Sequence, residues 1–229
     1  MRQTLAFDIY GTLIDPQRIA ETLEAWIGEQ APVLARAWRE KQLEYTFRRG
    51  LMGAYADFDV CTEQALQYCC AAQGITLSAE QEAELLERYR QLPAFDDAAP
   101  ALEALRAAGH RLFAFSNGTA ETVSGLLSQA ELDTYFADMV CVDEIGRFKP
   151  DPVVYRHFLQ RANVPVTEAW LISGNPFDVI GAQAVGMQTV WLDRPGQGLF
   201  DPWGVEPAAT IQRLAELPTL EGVAPHGQT

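Results

Sequence analysis

At 229 residues, 48% hydrophobic and 21% charged, the chain has the make-up of a globular protein with one large domain, or a core plus a smaller insertion. Its formal net charge of −14 argues against nucleic acid and anionic membrane surfaces as partners. No apolar run reaches the roughly 20 residues that a membrane helix needs, and the opening MRQTLAFDIYGT has no secretory h-region or small-residue cleavage site, so a cytoplasmic location is expected. Cys61, Cys69, Cys70 and Cys141 form no CxxC pair and the three histidines lie far apart. Free thiols and no metal cluster follow from that spacing.

In chain order, Leu5–Ile9 is a short apolar run leading into Gly11-Thr12, which reads as a buried strand and a tight turn. Residues 15–92 then contain helix-like segments, Pro16–Gly28, Pro32–Leu51, Thr62–Gln73 and Ala79–Leu92, without a clear strand. Ser78 with Gln81 reads as a capping box opening the last of them. Beyond Pro93 the pattern alternates. Helical segments Ala98–Ala108, Thr119–Ala130, Pro152–Ala162 and Pro176–Val185 separate strand-like runs Leu112–Phe115, Met139–Val142, Trp170–Ile172 and Thr189–Leu192. Such alternation implies an α/β fold, with a Rossmann-like doubly wound parallel sheet. The core is assigned to residues 1–14 and 93–229, and residues 15–92 to an inserted helical cap subdomain. The tail from Leu217, with Gly222, Pro225 and Gly227, reads as frayed.

Open parallel sheets bind ligands at the carboxyl ends of their strands. Asp8, Ser116 and Ser173 each stand where a strand-like run gives way to a loop. An aspartate closing an apolar strand is costly unless hydrogen bonds or a cation compensate it; a turn aspartate capping its own loop is the plain alternative. The segment around it, Phe7-Asp8-Ile9-Tyr10-Gly11-Thr12-Leu13, is followed by Ser116-Asn117-Gly118, Lys149-Pro150-Asp151 and Ser173-Gly174-Asn175-Pro176-Phe177-Asp178. These four segments, in this order, resemble the motifs of the haloacid dehalogenase superfamily, and the resemblance extends into the helical insertion at Trp38-Arg39-Glu40-Lys41-Gln42-Leu43-Glu44-Tyr45.

Within that superfamily, related phosphatases carry a second aspartate where this chain has Tyr10, and a Mg²⁺-ligating carboxylate where it has Asn175. A phenol with a pKa of about 10 is a weak general acid at neutral pH, and a neutral amide is a poor Mg²⁺ ligand. The pattern is similar to the L-2-haloacid dehalogenases, which implies a metal-free, cofactor-free hydrolase acting on a small anionic 2-haloacid. By this resemblance Asp8 displaces halide from C2, turning an (S)-2-haloacid into an aspartyl ester that water hydrolyses to an (R)-2-hydroxy acid. A phosphatase or phosphonate hydrolase, and a non-catalytic member of the fold, are the competing readings.

The resemblance assigns the remaining roles. Asp178, with Asn175 and Lys149, positions or activates the water. Thr12 and Ser173 hold the attacking oxygen of Asp8. Ser116 and nearby amides take the substrate carboxylate, and Asn117 the halide. Tyr155 orders Lys149 and Asp178, or simply packs its helix. Arg39 shares a helical stripe with Leu43 and Phe47, apart from the Leu34, Trp38 and Tyr45 stripe, and would face the leaving halide; a surface pairing with a glutamate is the alternative. Tyr10, Leu43, Phe58 and Phe177 would line the pocket. Glu40, Gly174, Pro176 and Phe177 depart from the family pattern, and Glu40 would weaken anion affinity if it faced the site. Family members commonly dimerise through the cap, so a homodimer is expected.

Overall fold

A computed structural model describes residues 2–223. Six strands, β1 (Thr4–Phe7), β2 (Arg111–Ser116), β3 (Asp138–Cys141), β4 (Ala169–Ser173), β5 (Gln188–Leu192) and β6 (Ala209–Ile211), form one parallel sheet in the order β3-β2-β1-β4-β5-β6. The apolar runs of β1 and β4 are buried along their whole length, as strands covered on both faces require. The chain runs outward from β1 to β3 on one side, then restarts at β4 on the other. The reversal at β1 opens a crevice at the carboxyl edge, the usual ligand site of such sheets. The edge strand β6 gave no sequence signal, because three residues are too few to establish an alternation.

Helices α5 (Ala98–Ala107), α6 (Ala120–Gln129), α7 (Pro152–Ala162) and α8 (Pro176–Gln183) alternate with the strands as expected. Local chemistry starts them: the Thr119 hydroxyl accepts from the Thr122 N–H, and the Asp151 carboxylate accepts from the Val153 N–H ahead of Pro152. Between β1 and α5 come α1 (Ile19–Ile27), α2 (Ala31–Met52), α3 (Phe58–Gln73) and α4 (Ala79–Tyr89). The Ser78–Gln81 capping box opens α4 as expected. Helix α3 starts earlier than the pattern indicates, at Phe58 behind Asp57, because Phe58 is itself buried. The excursion leaves and rejoins at one place, where Asp15 N–H donates to the Pro93 carbonyl and Phe95 N–H to the Leu13 carbonyl.

Two expectations need correction or restriction. The tail does not fray at Leu217: a 3₁₀ turn covers Leu214–Thr219, and Leu217 and Val223 are buried. Pro225 and Gly227 lie outside the described residues. All four cysteines are free and buried, and among the described residues no helix is long and apolar enough to cross a membrane.

Candidate active site

Asp8 follows β1 directly, and its N–H donates to the Ile172 carbonyl of β4, which pins it at the carboxyl edge of the sheet. Its two oxygens have different surroundings. Oδ2 accepts from Thr12 Oγ1 (3.0 Å), Ser173 Oγ (3.3 Å) and Asn175 Nδ2 (2.7 Å). Oδ1 meets the Lys149 ammonium at 3.2 Å. Asn175 holds the N-cap position of α8 but makes no side-chain cap there. Its amide instead reaches Asp8 and the Tyr10 carbonyl, so a local stabilising habit gives way to the site. A Cβ on Gly174 would collide with the Gly11 carbonyl, so the β4 loop presses against the β1 loop at a separation that here admits only glycine.

Lys149, 1% exposed, binds both carboxylates of the site: its Nζ lies 2.9 Å from Asp178 Oδ2, 3.2 Å from Asp8 Oδ1 and 2.9 Å from the Phe115 carbonyl. Burial alone would push this ammonium down; Asp178 and Asp8 outweigh it and hold it above its ordinary range. Burial raises the Asp178 carboxyl against the pull of Lys149. Tyr155 Oη donates to Asp178 Oδ1 at 2.8 Å, and burial keeps that phenol protonated. Tyr155 also packs edge-on against Phe115, so it both fills the core and fixes Asp178.

Ser116 closes β2, and its Oγ accepts from the Gly118 N–H (3.0 Å), leaving its own proton free to donate. Asn117 Oδ1 accepts from the Lys149 N–H (2.9 Å), so the amide presents its NH₂ end away from that bond. From the other side, α2 delivers Arg39: Nη2 lies 3.3 Å from the Tyr10 carbonyl, Nη1 lies 2.8 Å from Gln42 Oε1, and the guanidinium carbon is 5.8 Å from the centre of the Tyr10 ring. The partners of Arg39 are therefore the loop that follows Asp8 and a glutamine, not a surface glutamate. Tyr10 packs against Phe58 at 5.5 Å, and burial pushes its phenol far up, so it stays neutral. Phe177 packs on Phe47 at 5.0 Å, and Leu43 is half-buried one turn after Arg39.

Asp8, Thr12, Lys149, Tyr155, Ser173, Asn175 and Asp178 thus form one hydrogen-bonded cluster, which Arg39 joins through the Tyr10 carbonyl. Thr12 and Ser173 do bond Asp8, but at Oδ2, the oxygen turned away from Lys149, so the expectation that they hold the attacking oxygen is corrected: three donors occupy Oδ2, and Oδ1 is the oxygen with room for a substrate. Glu40 is exposed beside Pro32, Arg36 and Ala37 and does not face the site, because it stands on the solvent side of α2. Gln42, which lies in the family-like segment Trp38–Tyr45 but carries no assigned role, accepts from Arg39, and Thr62 and Tyr89, which no motif singles out, bond Gln42 in turn. Arg194 was likewise missed; its Nη2 lies 2.6 Å from the Thr12 carbonyl. The sequence signals for Gln42 are its place in that segment and its i+3 spacing from Arg39. Among the described residues no group of three or more His, Cys, Asp or Glu could hold a metal ion. An Mg²⁺ beside Asp8 would face the Lys149 ammonium and the neutral Asn175 instead of further carboxylates, so these residues do not fit that ion.

Residues 3–186 match the family model described as haloacid dehalogenase-like hydrolase. Among named relatives, an (S)-2-haloacid dehalogenase of Pseudomonas putida is 34% identical over 94% of both chains. (S)-2-haloacid dehalogenase 1 of Pseudomonas sp. strain CBS-3 is 37% identical over 93% of this chain and 94% of that one. Among solved structures, the L-2-haloacid dehalogenase from Xanthobacter autotrophicus with chloropropionic acid covalently bound superposes with a TM-score of 0.86, at 29% identity and with 96% and 98% of the two chains covered.

Proposed function

This chain belongs to the haloacid dehalogenase-like hydrolases, and from that premise we propose that it hydrolyses the carbon–halide bond of short (S)-2-haloacids, giving (R)-2-hydroxy acids and halide. The observation that carries this reading is the asymmetric environment of Asp8. Three donors saturate Oδ2, whereas Oδ1 meets Lys149 and keeps lone-pair capacity for an incoming carbon. Oδ1 attacks C2 in line as the carbon–halide bond breaks, the halide leaves with the bonding electron pair, and C2 inverts. No proton is needed by a halide leaving group, which suits a site where burial makes the Tyr10 phenol a still weaker acid than usual.

The ester left on the enzyme has Oδ2 as its carbonyl oxygen. Thr12, Ser173 and Asn175 then act as donors to the negative charge that develops there when water attacks the carbonyl carbon. Asp178 takes the proton of that water; burial raises its basicity, while Lys149 and Tyr155 fix its orientation. Collapse of the tetrahedral adduct breaks the bond to the 2-alkoxide, which takes back the proton held by Asp178 and leaves as the hydroxy acid; the Asp8 carboxyl, now with a solvent oxygen in it, loses the remaining water proton to solvent.

Ser116 and the backbone amides beside it receive the substrate carboxylate. The free NH₂ end of Asn117 and the Arg39 guanidinium face the departing halide. Tyr10, Leu43, Phe58 and Phe177 form the apolar wall around the alkyl group. Residues 15–92 act as a cap over the crevice, with residues 1–14 and 93–229 as the catalytic core. In a protein of net charge −14, Lys149 and Arg39 supply the local positive charge that an anionic substrate needs. The phosphatase reading is disfavoured by Tyr10 and Asn175, which take the positions of its acid and metal ligand.

We further infer a cytoplasmic homodimer. The four free cysteines suit a reducing compartment, and Val33, Leu51, Met52 and Tyr68 expose apolar surface on α2 and α3 for self-association. The deciding assay is halide release from chloro-, bromo- and fluoroacetate and from both enantiomers of 2-chloropropionate. Release from the (S) enantiomer with formation of the (R) product is expected. No release from any of them, with Mg²⁺-dependent turnover of p-nitrophenyl phosphate, would overturn the assignment.

A further inference from the structure

Gln42 is fully buried on α2, and every polar atom of its side chain has a partner. Oε1 accepts from Arg39 Nη1 (2.8 Å) and from Tyr89 Oη (3.0 Å). Nε2 donates to Thr62 Oγ1 (2.5 Å). The Thr62 hydroxyl commits its own proton to the Phe58 carbonyl (2.8 Å), and the Thr62 carbonyl accepts from Trp38 Nε1 (2.8 Å). Thr62 Oγ1 is therefore an acceptor toward Gln42, and the amide has one orientation. A flip would turn its NH₂ onto the Arg39 guanidinium, which only donates, and its oxygen onto the lone pairs of Thr62 Oγ1. The wall behind this network is rigid, since Tyr89 stacks on Tyr10 at 5.7 Å and contacts Trp38 at 5.0 Å.

We propose that Gln42 is the positioning residue for Arg39: a neutral, orientation-locked acceptor that aims the guanidinium at the reaction centre without cancelling its charge. The inference rests on the reading of Arg39 as the cation that meets the departing halide. A glutamate here would accept a stronger hydrogen bond but would place a carboxylate against Arg39. The guanidinium would then be neutralised before any halide charge develops. An amide holds the same geometry and leaves the full positive charge available to the transition state. Arg39 Nη2 meanwhile rests on the Tyr10 carbonyl, which also accepts from Asn175 Nδ2. Through that carbonyl, the aim of Arg39 is tied to the loop that carries Asp8.

The test is single-turnover ester formation on (S)-2-chloropropionate, with bromide inhibition as a second readout. The proteins are the wild type, Gln42→Glu, Gln42→Met, Arg39→Ala and the double variant Arg39→Ala/Gln42→Glu. Gln42→Glu is expected to slow ester formation about 10²-fold, as loss of a transition-state electrostatic donor does, and to weaken bromide inhibition. Gln42→Met, which loses the aim but keeps the charge, should slow it roughly 10-fold and retain bromide inhibition. A merely structural role gives the opposite order, because the isosteric glutamate disturbs packing least. In the double variant, Gln42→Glu should add nothing to Arg39→Ala; multiplying defects would show that Gln42 acts independently and overturn the proposal. Wild-type rates in Gln42→Glu, with Arg39→Ala slow, overturn it while sparing the role of Arg39. Wild-type rates in Arg39→Ala remove that role, and the proposal with it. If Gln42→Glu does not fold, Gln42→Met decides through the same cycle with Arg39→Ala.

Discussion

Replacing Lys149 by methionine removes the cation on which both buried carboxylates depend. Its Nζ lies 2.9 Å from Asp178 and 3.2 Å from Asp8; at an effective dielectric of about 20, each contact is a gross attraction of about 5–6 kcal/mol. Desolvation offsets most of this in the intact cluster, yet deleting one partner of a buried pair leaves an uncompensated charge that costs about 3–5 kcal/mol. With two carboxylates orphaned together, Lys149→Met is expected at the upper end, ~5 kcal/mol at about pH 8. In the wild type, the pKa of Lys149 is raised in the folded state, so its contribution is present through the neutral range and is lost only as pH rises above 10.5. In the variant the lowering pull of Lys149 is gone, so burial and the neighbouring Asp8 charge raise the Asp178 carboxyl further. The folded state then binds more protons than the unfolded chain above about pH 4, and the deficit grows with pH by up to ~1.4 kcal/mol per unit for each extra proton. Urea unfolding of both proteins at about pH 5 and about pH 8 measures this. A loss below ~1 kcal/mol at the higher pH, or an equal loss at both, would refute the account of Lys149 as the shared counter-ion.

Other consequences are simpler to test. Asp8→Asn, verified as undeamidated, should release no halide and trap no ester, because an amide is a far poorer nucleophile than a carboxylate; substantial turnover would exclude covalent catalysis by Asp8. In labelled water, a single turnover of wild type should place the heavy oxygen in Asp8 and not in the hydroxy acid, since water attacks the ester carbonyl carbon. Activity should survive chelation and gain nothing from added Mg²⁺; restoration by metal after chelation would contradict the reading of Lys149 and Asn175. His110 is buried at 5% exposure, its Nδ1 accepts from the Gln3 N–H, and burial lowers its pKa below 6.5. The unfolded chain binds the extra proton in that window, so stability falls as pH drops below 6.5. A His110→Gln variant should show a flatter pH dependence there, and an unchanged slope would locate the effect elsewhere.

Much of this was legible from residues close together in the chain. Apolar runs closed by Asp8, Ser116 and Ser173 announced strands ending in a shared edge, and Ser78, Thr119 and Asp151 announced helix starts, because strand period and cap chemistry are encoded within a few residues. Asp8 and its motif partners were recognisable through the resemblance of four ordered segments to the haloacid dehalogenase motifs. Only the tertiary structure decided what meets across the chain. Asp8 and Asn175, 167 residues apart, share a hydrogen bond that divides the two nucleophile oxygens into one held and one available. That division arises from the packing of the β4 loop against the β1 loop, where Gly174 alone fits, and no spacing rule contains it. Packing likewise turned Glu40 to solvent and Gln42 inward from the same helix. Helical period placed the two residues apart but did not say which face the rest of the molecule would cover.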